Sequence, residues 1–204
     1  MTLLLSILLS CLSFEGFGAE DPPFWKTKSE IYRGLVDDRD IVVSVTHKKP
    51  KETGGDYNFN YKGAQIVNAP VSFCQKKMLQ YENLPKISNY IKEAKFDPDK
   101  KELYFHGEAY GFHATMWMKI ITVVSDKTFE MHFEVLRGNL VGMKGIVRIE
   151  DFKRQKTEMS LAGSRSAQKL GMPAILLDFG LEIVLQRVAS TIRNYLEGEY
   201  KKER

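Results

Sequence analysis

Between Glu102 and Gly163 apolar and polar side chains alternate in runs of roughly ten residues, interrupted only by short polar links. The runs are Glu102 to Tyr110, His113 to Ser125, Lys127 to Arg137, Gly142 to Lys153 and Gln155 to Gly163. The clearest sets Phe129, Met131, Phe133 and Val135 against Thr128, Glu130, His132 and Glu134. A period of two puts these sets on opposite faces of a strand, so one face of the sheet is covered and the other is wet. Ser125-Asp126-Lys127, Arg137-Gly138-Asn139 and Arg154 are of hairpin length, which predicts an antiparallel meander.

Upstream, Ile41 to His47 and Tyr57 to Val67 read as two more strands joined by a basic loop containing Pro50 and the Gly54-Gly55 pair, a solvated turn. Helical spacing appears four times. Phe24 to Val36 carries Trp25, Ile31, Leu35 and Val36 on one side. Pro70 opens a segment with Val71, Cys74 and Met78 on one face. Lys86 to Ala94 places Ile87, Tyr90 and Ile91 together and predicts a short helix. Pro173 to Tyr200 predicts a long one, spanning roughly 40 Å. Its first half, Ile175 to Leu185, is apolar nearly all round. Its second half is amphipathic, with Val188, Ile192, Tyr195 and Leu196 in one stripe, so the helix is expected to emerge from burial toward its C-terminus.

Composition changes this picture little. The 204 residues carry 30 Lys+Arg and 26 Asp+Glu, a formal charge of +4 that is evenly spread and does not indicate nucleic acid as a partner. The N-terminus adds more. Leu3 to Leu12 is an apolar run too short to span a bilayer, followed by Gly16-Phe17-Gly18-Ala19, as in an export signal. Residues 1–19 are therefore expected to be a signal peptide, 20–40 an N-terminal extension with a short helix, and 41–204 the main domain, in a periplasmic or secreted protein. Leu8-Leu9-Ser10-Cys11 also resembles a lipobox, which would anchor the chain through lipid on Cys11. Cleavage after Ala19 would leave Cys74 alone, without an internal disulfide. Its helical position makes it a core residue, since nothing nearby in sequence would depress its pKa.

Polar groups that could do chemistry gather on the first meander strands. His106, Glu108 and Tyr110 share one strand face, with His113 nearby and Glu130, His132 and Glu134 on a later strand. The weak catalytic candidates are His106, Glu108 and His132. Their parity is opposite to that of Leu103 and Phe105, which directs His106 and Glu108 to solvent. No compact metal-ligand spacing and no nucleophile-elbow, Walker or dinucleotide pattern is present, so no metal and no cofactor is expected. Gly163-Ser164-Arg165-Ser166 reads as a polar linker before the long helix. Together with Gly138 to Gly142 it is a candidate gate.

The order of these elements, with the landmarks Asn68-Ala69-Pro70-Val71 and Leu84-Pro85, resembles the START-like superfamily and its polyketide cyclase and ubiquinone-binding branches. The resemblance implies an α+β helix-grip fold, a curved antiparallel sheet wrapped around the long C-terminal helix, with two short helices after the first strands. It also implies a cavity between sheet and helix. The expected lining is Phe105, Met116, Met118, Ile120, Met131, Phe133, Ile149, Met159, Leu177 and Leu181, a set rich in adaptable methionine. The expected function is an exported carrier or sensor of a hydrophobic small molecule or lipid, with peripheral membrane contact and without enzymatic activity. The alternatives are a cyclase, dehydratase or hydrolase acting on a bound apolar substrate, and a structural envelope module with a filled interior.

Overall fold

The computed structural model describes residues 22–50, 55–125, 128–153 and 155–204. The expected signal segment with Cys11, the tip of the basic loop, and the links at Asp126-Lys127 and Arg154 lie outside the described residues. Eight strands form one antiparallel sheet: β1 Val42–Lys48, β2 Tyr57–Val67, β3 Ile91–Asp97, β4 Glu102–Ala109, β5 Phe112–Val124, β6 Thr128–Gly138, β7 Lys144–Phe152 and β8 Lys156–Ala167. Their spatial order is β1-β2-β8-β7-β6-β5-β4-β3, so the first hairpin pairs with the last strand and the meander runs outward from it. The helices are α1 Phe24–Thr27, α2 Ser29–Arg33, α3 Val71–Met78, α4 Leu84–Ile87 and α5 Leu181–Glu203. A π-helical turn, Leu176–Gly180, leads into α5.

Three features differ from the sequence expectation. The predicted helix over Lys86 to Ala94 is instead the one-turn α4 followed by strand β3. The face read as helical, Ile87, Tyr90 and Ile91, straddles the end of α4 and the start of β3, and a bulge extends the pattern: the pairing with β4 shifts register between Ile91 and Glu93, so Ile91 and Ala94 are both buried. One extra residue in a strand turns a spacing of two into a spacing of three, which imitates a helix face. Second, Gly163 to Ser166 is not a linker but the continuation of β8: all four residues pair with β2, and Gly163 and Ser164 pair with β7 as well, Ser164 with Lys144 and with Asn60. A central strand has its backbone satisfied from both edges and so tolerates polar side chains.

Third, the burial of α5 runs opposite to the expectation. Its deepest residue is Leu196, at 0% exposure, while Ile183 near its start is exposed. Around Leu196, the side chains of Val67, Ala69, Cys74, Phe129 and Ile149 form a filled core. Cys74 is buried there, and burial pushes its thiol up to about 11, consistent with a packing role. The outer face of the sheet is partly covered as well. Trp25 and Leu35 pack on Ala64 and Ile66, and Trp25 Nε1 donates to Glu158 Oε1 at 3.1 Å.

Candidate functional site

Between the concave face of the sheet and the first half of α5 lies a cavity of about 350 Å³. That volume is at the small end of the range typical of small-molecule sites, ~300–1,000 Å³. Inward-pointing alternate residues of β2, β4, β5 and β6 build its wall: Phe59 and Tyr61, Leu103 and Phe105, Met116 and Met118, Met131 and Phe133. Leu181, Val184, Leu185 and Val188 of α5 close it from the other side, at the spacing of one helix face. Of the chain's 8 methionines, six line this space: Met78, Met116, Met118, Met131, Met143 and Met172. Flexible thioethers line a void that branched aliphatics would fill more rigidly.

Two rings shape the interior. Tyr61 lies across the paired Gly145 and Gly163, where an added Cβ would come within 2.8 Å and 2.2 Å of its hydroxyl. These glycines are a close-approach device, since a side chain at Gly163 would drive into both Tyr61 and the Lys144 carbonyl. Burial raises the Tyr61 pKa, so the phenol stays protonated. Its hydroxyl donates a long bond to the Lys144 carbonyl at 3.4 Å. The Tyr81 hydroxyl faces the Met131 sulfur at 3.6 Å.

The β6–β7 loop and the β8–α5 loop close one end, through Leu140, Met143, Met172 and Leu176. Arg165 ties them together. At 4% exposure it is nearly buried, and its guanidinium donates to the carbonyls of Val141 at 3.1 Å, Lys169 at 2.8 Å and Leu170 at 2.7 Å. Burial lowers its pKa, and the three carbonyls supply the bonds that water would otherwise make. The sequence reading places Arg165 in a polar linker. It is an internal clasp.

Of the residues expected to contact ligand, Phe105, Met116, Met118, Ile120, Met131, Phe133 and Leu181 line the cavity. Leu177 is buried in the core cluster beside it, outside the lining. Ile149 belongs instead to the core around Leu196, where it pairs with Phe129 of β6 and Met159 of β8. Met159 lines a smaller adjoining chamber. Sequence reasoning passed over the walls given by β2 and by the loops, namely Phe59, Tyr61, Met143 and Met172. Phe59 and Tyr61 carried a period-two signal that could have placed them.

The polar candidates sit elsewhere. His106 stacks near His113, ring centroids 5.9 Å apart. Glu108 borders the cavity, but its carboxylate lies 3.7 Å from Lys92 and 3.8 Å from His113 on the outer side. His132 Nε2 lies 3.0 Å from Glu130 Oε2, and Arg148 Nε donates to the other oxygen of Glu130 at 2.8 Å. Burial pushes Glu130 up, and the bonds from Arg148 and His132 outweigh it and leave its pKa lowered. Among the described residues no three His, Cys, Asp or Glu side chains converge as a metal site.

No family model matches the chain, and no curated protein matches it. Solved structures do. A START superfamily protein from Mycobacterium smegmatis superposes with a TM-score of 0.53 at 13% identity, covering 80% of this chain and 99% of that one. A STAR-related lipid transfer protein from Xanthomonas axonopodis gives 0.55 at 10% identity, covering 74% and 98%. A Streptomyces aromatase/cyclase gives 0.54 at 14% identity, covering 78% and 95%. The chain therefore has the START-like helix-grip fold, the class to which its element order points.

Proposed function

We propose that this protein is an exported carrier or sensor that holds one hydrophobic small molecule or lipid between the sheet and the first half of α5. The observation that carries this reading is the contrast inside one interior: a methionine-rich apolar cavity of about 350 Å³ beside a cluster of almost wholly buried side chains around Leu196. Burying ~300 Å² of apolar ligand surface at ~25 cal/mol per Å² contributes about 7 kcal/mol before the cost of immobilising the ligand, enough for binding without a polar anchor. Among the structural neighbours, one is a lipid transfer protein and another an aromatase/cyclase. The lining favours the first, because His106 and His132 lie off the cavity and the Glu108 carboxylate is engaged outside it. Exposed Val141 and Ile175, on the two loops clasped by Arg165, suit brief contact with a membrane during loading.

Native mass spectrometry of the mature protein, purified from its own organism without detergent, tests the reading. A stoichiometric apolar molecule recovered by extraction supports it, its retention unchanged in His106→Ala and Glu108→Ala variants is expected of a carrier, and loss of turnover with retained binding in those variants would support the enzyme instead. Repeated absence of ligand and no uptake of apolar probes would reject it. The same spectrum tests export: a new N-terminus near Glu20, or lipid on Cys11, is expected, and an intact Met1 contradicts both.

A further inference from the structure

Next to the main cavity is a second chamber of about 120 Å³. Met78, Leu161, Leu185 and Val188 belong to the walls of both, so the two spaces are separated only by side chains. The far wall of the small chamber comes from β1, β2, β7 and β8 and from the next turn of α5, including Val43, Val147, Met159 and Ile192. One uncharged polar side chain stands among these apolar groups on the inner face. Gln65 is 4% exposed and follows Phe59, Tyr61 and Gly63 in inward parity on β2, opposite Met159 of β8. Its Oε1 is sealed from solvent and has no hydrogen-bond partner among the described residues.

A buried amide oxygen without a partner is costly, and a leucine of similar size would fit this wall without that cost. The terminal torsion of glutamine is soft, so a rotation at the end of the side chain can present either the oxygen or the NH₂ to the chamber. The complement of a group that both accepts and donates is a hydroxyl. A carboxylate or phosphate would need a cation. Lys62, the one charged residue among the described residues that border the chamber, has outward parity and also borders the outer groove beside Trp25 and Glu150.

We infer that Gln65 is a specificity-determining residue, and that the ligand is a long, otherwise apolar molecule whose single uncharged hydroxyl passes the Met78–Leu161–Leu185–Val188 partition and pairs with the Gln65 amide. This rests on the carrier reading above and names the class of molecule carried. It also assigns a direction: the hydroxyl enters first and the apolar body fills the main cavity.

The test compares dodecanol with dodecane, each displacing the fluorescent probe N-phenylnaphthylamine from the full mature chain and from Gln65→Leu. The alcohol-to-alkane affinity ratio is expected to fall about ten-fold in the variant, the worth of one buried hydrogen bond, while dodecane affinity stays within about two-fold. In the unaltered protein, the side-chain amide resonance of Gln65 is expected to shift with dodecanol and to stay in place with dodecane, a readout independent of how the variant folds. An unchanged ratio together with an unmoved amide resonance overturns the role of Gln65 and leaves the carrier reading intact. Failure of the probe and of both compounds to bind overturns the carrier reading itself, and this inference with it.

Discussion

The two halves of α5 meet the same sheet with opposite results. Around Leu196 the space between helix and strands is filled by Phe129, Ile149, Val67 and Cys74, each at or below 1% exposure. Around Leu181 to Val188 the same two layers enclose a void lined by methionine and phenylalanine. Since side chains between the same helix and sheet are almost wholly buried around Leu196, the hollow at the other end is a consequence of residue choice and not of a fold unable to close. Packing and open space are thus divided along one helix. The filled end holds sheet and helix together, and the hollow end gives up packing energy that a ligand can restore.

The largest expected effect is at the filled end. Leu196→Ala should cost about 3 kcal/mol by urea unfolding, because its neighbours are too tightly packed to collapse into the gap. Leu181→Ala, at the wall of an existing void, should cost about 1 kcal/mol. Equal losses would erase the distinction between the two ends.

Arg165→Met sharpens the comparison at the loops. Removing a charged donor from the carbonyls of Val141, Lys169 and Leu170 should cost about 2 kcal/mol. Amide exchange should accelerate in residues 138–142 and 168–172 while β6 and β8 stay protected. Uniform acceleration would mean that the clasp supports the whole fold and not one end.

Filling the hollow should separate binding from stability. Ala114 lines the cavity on β5, and Ala114→Phe is expected to abolish uptake of apolar probes while stability changes by about 1 kcal/mol or less. Saturating ligand, at ~100 times its Kd, should stabilise the unaltered protein by about 2.7 kcal/mol and leave the filled variant unmoved. The smallest effect lies outside both ends. The lowered pKa of Glu130 contributes stability that is present above the carboxylate's unfolded pKa and is lost as pH falls through its lower folded value. Because the pair with Arg148 is partly exposed, Arg148→Met should remove about 0.5 kcal/mol of that acid-range dependence in pH-stepped unfolding.

Much of this architecture was legible from residues alone. Alternation in β4 to β8 placed the meander and its inward set, and the parity of His106 and Glu108 against Leu103 and Phe105 directed those groups outward. Cys74 read as core from its place beside Val71 and Met78. Three elements misled, each through a non-local cause. The bulge in β3 gave a strand the spacing of a helix. The end of β8 read as a linker because its pairing beyond Ser164 is with β2 alone, a strand far away in the chain. The apolar start of α5 read as the buried half, though part of its apolar surface faces a void and Ile183 faces solvent.

By itself, then, the sequence determined the local terms: strand periods, short links, helix stripes and the side of the sheet on which each residue stands, because these depend on neighbours a few positions apart. Only the tertiary structure decided where space remained. The filled core around Leu196, the cavity under Leu181 to Val188, the Arg165 clasp and the unpartnered oxygen of Gln65 all follow from how distant layers meet. A void or a missing partner is a property of the groups that surround a side chain in space, and no periodicity along the chain records it.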